Sequence, residues 1–313
     1  MAGASESTAR NHDKIACGHP LPRCACIDSG SNTTRLLVAE DDGTRLREVV
    51  SGRAFTHLGA TGTGEMGSDK IAEVASIVAR QARLADELGV ASMRVIGTAA
   101  VRQATDSDAL AAAIGASCGM TLEILGGEDE ARLAFAGAIG MLAVAPAGLL
   151  GVVDVGGGST ELVVGTAAGG VEWSASLPVG SALLTRAELP SDPPTSAELD
   201  RLRAKLARVF GEVDAPQPAA AYAVGGSATS MQRLMGVGLD GDALTRGLQT
   251  LVASPCAEVA LQLGLHAERA RLLPAGILLL DAASRALGAP LLLAGGGLRE
   301  GVVLEQLALL AAG

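Results

Sequence analysis

Aromatic side chains are scarce in this sequence: three Phe, one Trp and one Tyr occur among 313 residues. Because 49% of the residues are hydrophobic, a core can still form, built from Ala, Leu, Val and Gly. Lysine occurs only at positions 14, 70 and 205, and the net charge is −10. A general binder of nucleic acid or of acidic membranes needs a basic face, which this composition does not supply. A phosphorylated substrate stays compatible, because a local cleft can be positive on an acidic protein.

Cysteine is too scattered to form a disulfide framework. The five cysteines lie at positions 17, 24, 26, 118 and 256. This odd, dispersed set is typical of a reducing compartment, so we expect a cytoplasmic protein. The order Cys17, His19, Cys24, Cys26 could suggest a metal site. However, Cys24 and Cys26 alternate along a predicted buried strand, which favours a structural role.

The sequence shows no secretory signal pattern and no membrane span. Residues 1–20 are polar and lack an apolar core, so we predict a flexible tail over 1–22. Residues 133–153 carry no charge, but Pro146 and Gly148 interrupt the segment. A helix end, a turn and a buried strand explain it better than a transmembrane helix, and we expect no membrane partner.

Two glycine-rich turns of similar composition follow predicted strands. CIDSGSNTTRLLV lies at 26–38 and VVDVGGGSTELVV at 152–164. In each, an Asp near the end of an apolar run precedes glycine and hydroxyl residues, and a second apolar run follows. Asp28 and Asp154 lie 126 positions apart, which is about the length of one domain. The pattern indicates an internal duplication.

Strands and helices alternate in the same way around each turn. Apolar runs predict strands over 24–28, 34–40, 44–51, 93–96, 122–125, 149–155, 160–165, 171–177 and 221–225, and a last one near 291. Helical spacing predicts helices over 71–90, 196–210 and 228–235, from 126 onward and at the C-terminus, with a surface loop over 189–196. We therefore predict an α/β fold of two similar domains, 23–146 and 147–313, with a cleft between them. The final helix, over about 300–312, is a candidate to pack back on the first domain.

The two turns carry groups that suit a phosphate and a metal ion. In the first, glycine exposes backbone N–H groups, and Ser31, Asn32 and Thr33 add side-chain donors that could cradle a phosphate. Taken alone, this turn could equally be an ordinary polar β-turn. In the second, Asp154 and Glu161 can approach each other across the turn. Two carboxylates beside phosphate-binding amides suit Mg²⁺, which prefers oxygen ligands.

Four further segments follow apolar strands and open helices, where N–H groups can face an anion. They lie at 97–102, 126–132, 225–229 and 295–301. Each could also be an ordinary helix-start turn. Arg102 is a candidate phosphate clamp, whereas Arg299 could equally form a surface ion pair.

The segment 126–132 supplies a candidate catalytic base. Glu128, Asp129 and Glu130 surround a helix start, where some acidic residues only offset the helix dipole. The four histidines are isolated and the hydroxyls lack a neighbouring base, so direct attack by water is favoured over a protein nucleophile. Glu130 is the candidate to orient that water while the glycine turns hold the terminal phosphate.

Six motifs in this order carry a family resemblance: CIDSGSNTTRLLV, VIGTAAVRQA, LEILGGEDEARLAFAGA, VVDVGGGSTELVVG, AVGGSAT and GGGLREGVVLE. Over about 24–310 the sequence resembles the exopolyphosphatase/guanosine pentaphosphate phosphohydrolase family. The resemblance implies two duplicated ribonuclease-H-like domains of the actin/sugar-kinase/Hsp70 superfamily. The chain is similar to the short, two-domain form of that family.

The resemblance also implies roles for individual residues. Asp154 and Glu161 would hold Mg²⁺, with Mn²⁺ as an alternative, and Glu130 would be the catalytic base. Arg35 and Arg102 would be cationic clamps. With the turns and helix starts described above, the expected phosphate- and substrate-binding set is Asp28, Gly30, Ser31, Asn32, Thr33, Arg35, Arg102, Gly156, Gly157, Gly158, Ser159, Thr160, Gly226 and Ser227.

Three positions depart from the family pattern. His57 stands where many relatives have Arg, Ala99 replaces a usual Ser or Thr, and AGGGLREG at 294–301 lacks a polar residue often found before its glycine. The first change is expected to weaken binding of a phosphate chain. None removes an implied metal or base residue.

The implied activity is hydrolysis of the terminal phosphate of inorganic polyphosphate, with pppGpp as the alternative substrate. Less favoured are an ATP-dependent kinase of the same superfamily and a (p)ppGpp sensor without turnover. We expect a homodimer, because a dimer is an ordinary way to extend a cleft along a polymer.

Overall fold

The computed structural model describes residues 21–43, 45–58, 64–236 and 238–312. Most of the predicted N-terminal tail, with Cys17 and His19, lies outside these residues. Where the chain is described, no helix is both long enough and apolar enough to cross a membrane.

The first half of the chain contains five strands and four helices within the described residues. The strands are β1 Arg23–Ser29, β2 Thr33–Asp41, β3 Leu46–Phe55, β4 Ser92–Gly97 and β5 Leu122–Ile124. The helices are α1 Ser68–Glu87, α2 Ala99–Gln103, α3 Ser107–Cys118 and α4 Gly127–Gly140.

The second half adds five strands and seven helices to the described chain. The strands are β6 Leu150–Val155, β7 Thr160–Thr166, β8 Gly170–Leu177, β9 Ala220–Val224 and β10 Leu291–Leu293. The helices are α5 Ser181–Glu188, α6 Ser196–Gly211, α7 Gly225–Met235, α8 Gly241–Leu251, α9 Cys256–Leu263, α10 Ala267–Leu287 and α11 Leu298–Ala312. The uncharged segment 133–153 accordingly divides into the end of α4, a connection and the start of β6.

Each half forms one five-stranded mixed sheet with the same strand order. The first sheet has the order β3-β2-β1-β4-β5, and the second has β8-β7-β6-β9-β10. In both orders, neighbours among the first three strands are antiparallel. The last two strands run parallel to the central strand, which is β1 in the first sheet and β6 in the second. The predicted duplicated α/β fold is confirmed.

Helices cover both faces of each sheet. In the first sheet, Cys24 and Cys26 lie fully buried on one face of β1, as predicted, among side chains of α11 such as Val302 and Val303. Helices α1 and α3 cover the opposite face. In the second sheet, α4 covers one face, while α5, α6, α8 and α10 cover the other.

Two helices cross over between the halves. Helix α4 follows the first sheet in sequence but packs against β6, β7 and β8, whereas α11 follows the second sheet and packs against β1 and β2. Gln306 of α11 donates a hydrogen bond to the Ala25 carbonyl of β1 (3.0 Å) and accepts one from Ser92 Oγ (2.7 Å). The final helix therefore lies against the first sheet, where the sequence had made it a candidate to pack.

Helices α4 and α11 touch backbone to backbone. A methyl group added to Gly137 would overlap the Gly297 carbonyl oxygen and the Gly301 nitrogen, and one added to Gly301 would overlap the Leu133 carbonyl. Only glycine at these two positions allows the helices to approach so closely. The contact matters for function because α4 carries Glu130 in its first turn and α11 carries Arg299.

Replacing Gly137 with alanine tests this crossing. The added methyl meets backbone atoms that cannot move without shifting α11, so we expect Gly137→Ala to lower the free energy of unfolding by about 1–3 kcal/mol. Gly115→Ala on the exposed face of α3 is the matched control, since the nearest atom lies 3.8 Å from its added carbon. There we expect a gain of up to about 1 kcal/mol from helix propensity. Urea unfolding measures both, and equal effects of the two substitutions would contradict the tight crossing.

Candidate active site

The ends of four inner strands meet at one cleft between the two sheets. Strands β1, β4, β6 and β9 finish there, and the cleft encloses about 190 Å³. Ligands of open α/β sheets bind outside the carboxyl ends of the strands. Most of the residues predicted from sequence line this cleft: Asp28, Gly30, Ser31, Asn32, Thr33, Arg35, Glu130, Asp154, Gly156, Gly157, Gly158, Ser159, Glu161 and Gly226.

The two glycine turns have the same hydrogen-bond geometry. Gly30 N donates to the Thr33 carbonyl (3.0 Å), and Gly156 N donates to the Ser159 carbonyl (3.0 Å). The preceding strands also pair in equivalent registers: Asp28 lies opposite Arg35, and Asp154 lies opposite Glu161. At equivalent positions beside the two turns, the first half therefore has Arg35 and the second half has Glu161.

The two turns face each other across the cleft. Ser31 lies against the second turn, so that a methyl group on Gly158 would overlap its Oγ. The second turn is itself fixed by the start of α5, where Ala182 N and Leu183 N both donate to the Gly157 carbonyl at 3.0 Å. Backbone N–H groups and hydroxyls from both halves are thus available to one anion.

Asp154 and Glu161 form a facing pair of carboxyl groups at the second turn. Burial, and then the charge of Glu161, raise the pKa of Asp154 to about 7. Burial, and then the charge of Glu130, raise the pKa of Glu161 to about 7, although Ser176 donates to it at 3.0 Å. Glycine at 225 has a positive φ of 83° and leaves room for the Asp154 carboxylate, which a side chain there would contact at 2.7 Å. These carboxyl groups are crowded and short of cationic partners.

Glu130 is buried in the first turn of α4 and is held by one arginine. Arg102 forms a close ion pair with Glu130 Oε1 and also donates to the Leu125 carbonyl. Burial raises the pKa of Glu130 to about 7, assisted by the charges of Asp28 and Asp154 and opposed by Arg102. The carboxyl group is therefore oriented and can change protonation near neutral pH.

Asp28 completes a group of four carboxyl side chains, hereafter the acidic group: Asp28, Glu130, Asp154 and Glu161. Burial raises the pKa of Asp28, while Arg299 and Arg35 oppose the shift. Its Oδ1 atom is buried and has no hydrogen-bond partner within the described chain. Burying an unpartnered carboxylate oxygen is costly, so this oxygen is suited to a bound ligand.

Arginines gather beside the acidic group. Burial, followed by the charges of Arg299 and Arg53, lowers the pKa of Arg35 to about 10. Burial and the charge of Arg53 lower the pKa of Arg269 to about 10. Arg35, Arg53, Arg269 and Arg299, hereafter the arginine cluster, thus crowd like charges together. Such crowding suits an anion that binds guanidinium groups.

Three predicted ligands lie outside the cleft lining. Arg102 binds Glu130 instead. Thr160 is fully buried, and its hydroxyl donates to the Val179 carbonyl (2.7 Å). Ser227 is buried against α10, facing Gly276. Direct contact of these three side chains with a phosphate stays a prediction.

The cleft also contains residues that sequence reasoning missed. The Arg269 guanidinium lies over Gly226 at the start of α7, but Arg269 belongs to α10, a helix not predicted from the sequence. Thr98, directly after β4, lines the cleft beside Gly30. Its position in the Gly-Thr turn at a strand end was the available signal. Arg299, left open as a surface ion pair, lies in the cleft with its side chain 11% exposed.

The acidic group suits a hydrated divalent cation better than a closed metal cage. Among the described residues, no set of three or more His, Cys, Asp or Glu side chains has metal-binding geometry. Mg²⁺ is commonly held by one or two carboxylates, with waters and substrate phosphates completing its shell. The facing pair Asp154–Glu161 and the unpartnered Asp28 Oδ1 fit that pattern.

A duplicated α/β fold whose carboxyl groups, glycine turns and arginines face one cleft suits an enzyme that acts on a phosphorylated substrate. Comparison with known proteins defines it further. Residues 30–310 match the model of the Ppx/GppA phosphatase family, and the chain belongs to this family. It is a phosphoric anhydride hydrolase, as the sequence predicted.

Individual relatives agree with this assignment. Exopolyphosphatase 1 of Mycobacterium tuberculosis (strain ATCC 25618 / H37Rv) is 32% identical, over 91% of this chain and 88% of the relative. A guanosine-5'-triphosphate,3'-diphosphate pyrophosphatase of Aeromonas hydrophila is 29% identical, over 91% of this chain and 59% of that protein. The crystal structure of the Aquifex aeolicus family member superposes with a TM-score of 0.79 at 27% identity, covering 92% of this chain and 98% of that one.

The crowding of the acidic group has a measurable effect on stability. Asp154 ionises near its ordinary pKa of 3.8 in the unfolded chain and at about 7 in the folded one. The folded state therefore loses stability as the pH rises from about 4 to about 7. Without divalent cations, we expect Asp154→Asn to raise the free energy of unfolding at pH 8 by about 1–3 kcal/mol. The gain should vanish below about pH 4. Urea unfolding across this range measures it, and a variant less stable than wild type at pH 8 would refute the crowding.

Proposed function

We propose that this chain is an exopolyphosphatase, which hydrolyses the terminal phosphate of inorganic polyphosphate. One observation carries the proposal: the acidic group lines a single cleft together with Arg35, Arg269 and Arg299 of the arginine cluster. The carboxyl groups suit hydrated Mg²⁺, and the arginines suit a chain of phosphates. A substrate that brings its own negative charges and a divalent cation would relieve both kinds of crowding.

The composition of the cleft lining favours polyphosphate over pppGpp. Guanidinium groups bind phosphate oxygens, whereas bases are often held by stacking on aromatic rings. No aromatic side chain occurs among the described residues that line the cleft.

Glu130 is suited to orient the attacking water. Arg102 binds Oε1 and leaves Oε2 available for the water. With its pKa raised to about 7, the carboxyl group is near the best range for proton transfer at neutral pH. The two glycine turns would hold the terminal phosphate, and the arginine cluster would hold the phosphates behind it.

Asp154 and Glu161 are the proposed holders of Mg²⁺ or Mn²⁺. Bound there, the ion would offset charge on the phosphate oxygens as the phosphoanhydride bond breaks. Its charge would also relieve the repulsion that raises the pKa values of the two carboxyl groups.

Product analysis tests the substrate and the metal together. Purified protein with Mg²⁺ should release orthophosphate from the ends of polyphosphates of defined length, faster than it converts pppGpp to ppGpp. Because phosphate charge must be offset, EDTA should abolish release and added Mg²⁺ should restore it. No release from either substrate would overturn the proposal, and faster turnover of pppGpp would select the alternative.

Glu130→Gln tests the base. The amide keeps the shape of the side chain but cannot accept the proton, so we expect kcat to fall about 10²–10⁴-fold with a small change in KM. Glu128→Gln is the matched control, since Glu128 lies in the same helical turn but is exposed. It should keep full activity. Near-normal turnover of Glu130→Gln would remove Glu130 from this role.

A further inference from the structure

The cleft is too small to hold a long chain of phosphates. It encloses about 190 Å³, which is less than an ordinary pocket for a drug-sized ligand. With the terminal phosphate between the two glycine turns, the rest of a polyphosphate must leave the cleft and lie on the surface. On a protein with a net charge of −10, such a polyanion needs a path lined by cations.

The first sheet provides one side of such a path. Asp28 on β1 is the register partner of Arg35 on β2, and Arg35 is in turn the partner of Arg53 on β3. Side chains directly opposite each other on neighbouring strands lie on the same face. Asp28 and Arg35 line the cleft, whereas Arg53 lies on the edge strand and reaches the surface. This row therefore begins in the cleft and ends in an arginine at the surface.

Helix α7 of the second half provides the other side. Gly226 and Thr229 both line the cleft. Because residues three and four apart lie on the same face of a helix, Arg233 continues this face, about 10 Å beyond Gly226 at 1.5 Å per residue. Arg233 belongs to the last turn of α7 and is exposed. This second row also begins in the cleft and ends in an arginine at the surface.

The two rows end close to each other. Partial burial, then the charges of Arg299 and Arg233, lower the pKa of Arg53. The Arg269 guanidinium lies over Gly226, and its pKa is lowered by burial and by the charge of Arg53. Since charge interactions weaken with distance, Arg53 of the first half lies near both arginines of the second half.

No carboxylate neutralises the ends of the two rows. In the part of the chain that the structure describes, neither Arg53 nor Arg233 forms an ion pair. By contrast, Arg94 pairs with both Glu123 and Glu305. Two neighbouring guanidinium groups without a carboxylate repel each other, and a phosphate between them would replace this repulsion with two attractions.

We propose that Arg53 and Arg233, hereafter the outer subsite, bind the part of a polyphosphate chain that extends out of the cleft. The identity of the ligand rests on the proposed function, whereas the arrangement of the two arginines does not. Tripolyphosphate occupies the cleft, whereas a long chain also occupies the outer subsite. The outer subsite therefore gives the protein a preference for long chains.

Charge reversal at Arg233 tests the outer subsite. Calorimetry without divalent cations measures the dissociation constants of tripolyphosphate and of long-chain polyphosphate for wild type and for Arg233→Glu. For the long chain, we expect Arg233→Glu to raise the dissociation constant about tenfold, because a repulsion replaces an attraction. The increase should be clearly smaller for tripolyphosphate. Added salt should reduce the difference between the two ligands, because exposed charges are screened.

Arg208→Glu is the matched control. Arg208 is also an exposed arginine in the last turn of a helix, α6, so both substitutions change the net charge equally and place an acidic residue at a helix end. Arg208 lies beside β8, the edge of the second sheet opposite β10, whereas α7 packs against β10. Its effect should be small and the same for both ligands.

Two results would overturn the outer subsite: equal ratios for Arg233→Glu and Arg208→Glu, or an increase in Arg233→Glu that is the same for short and long chains. The second result is what a merely structural defect would give. Assays of phosphate release with Mg²⁺ separate the outer subsite from the proposed function. If wild type shows the expected binding but releases no phosphate, the proposed function fails and the outer subsite stands. If wild type releases phosphate and Arg233→Glu binds like Arg208→Glu, the reverse holds.

Discussion

The contact between α4 and α11 is the constraint on which the cleft depends. The two helices meet at Gly137 and Gly301 with no side chain between their backbones, and each covers the sheet of the opposite half. Neither sheet would keep its inner face covered if the halves came apart. The same two helices bring Glu130 and Arg299 to the cleft. The packing of both sheets and the geometry of the cleft are therefore set by one close approach of two backbones.

The cleft concentrates unfavourable electrostatics that the rest of the fold must offset. Burial and mutual repulsion raise the pKa values of Asp154, Glu161 and Glu130 to about 7. Burial and like charge lower the pKa of Arg35 to about 10. Strongly shifted groups gathered in one cleft are typical of functional sites. The large apolar cores on the outer faces of both sheets stabilise the fold and offset this electrostatic cost.

Much of the fold was predictable because the strands that build it are short apolar runs bounded by glycine turns. The duplication followed from the spacing of Asp28 and Asp154, and the strand order of the two sheets confirms it. Helix α10 was not predicted, because its central part, 272–280, is entirely apolar and contains Pro274, so no polar face marks it as a helix there. The crossing of α4 and α11 was also not predicted, because the sequence alone does not show which backbone a helical glycine will contact.

The site was predictable where chemistry is local and not where it depends on distant contacts. The glycine turns and Glu130 lie in motifs whose residues act together along the chain. Arg269 could not be found because its helix was missed. The pairing of Arg102 with Glu130 joins α2 to α4 across 28 positions, and no spacing rule indicates it.

Asp28 pairs with Arg35 beside one turn, and Asp154 pairs with Glu161 beside the other. This difference has a consequence for the direction in which a substrate can bind. Two copies of the same turn facing each other would form a cleft with equivalent ends. A linear polyphosphate also has two chemically identical ends, so nothing in such a substrate could define which way it lies. Exchange of one arginine for one glutamate breaks this equivalence. The first turn, with Arg35, would bind phosphate, and the second turn, with Glu161, would bind the cation. The cleft therefore has two different sides, whereas the ends of a linear polyphosphate are identical.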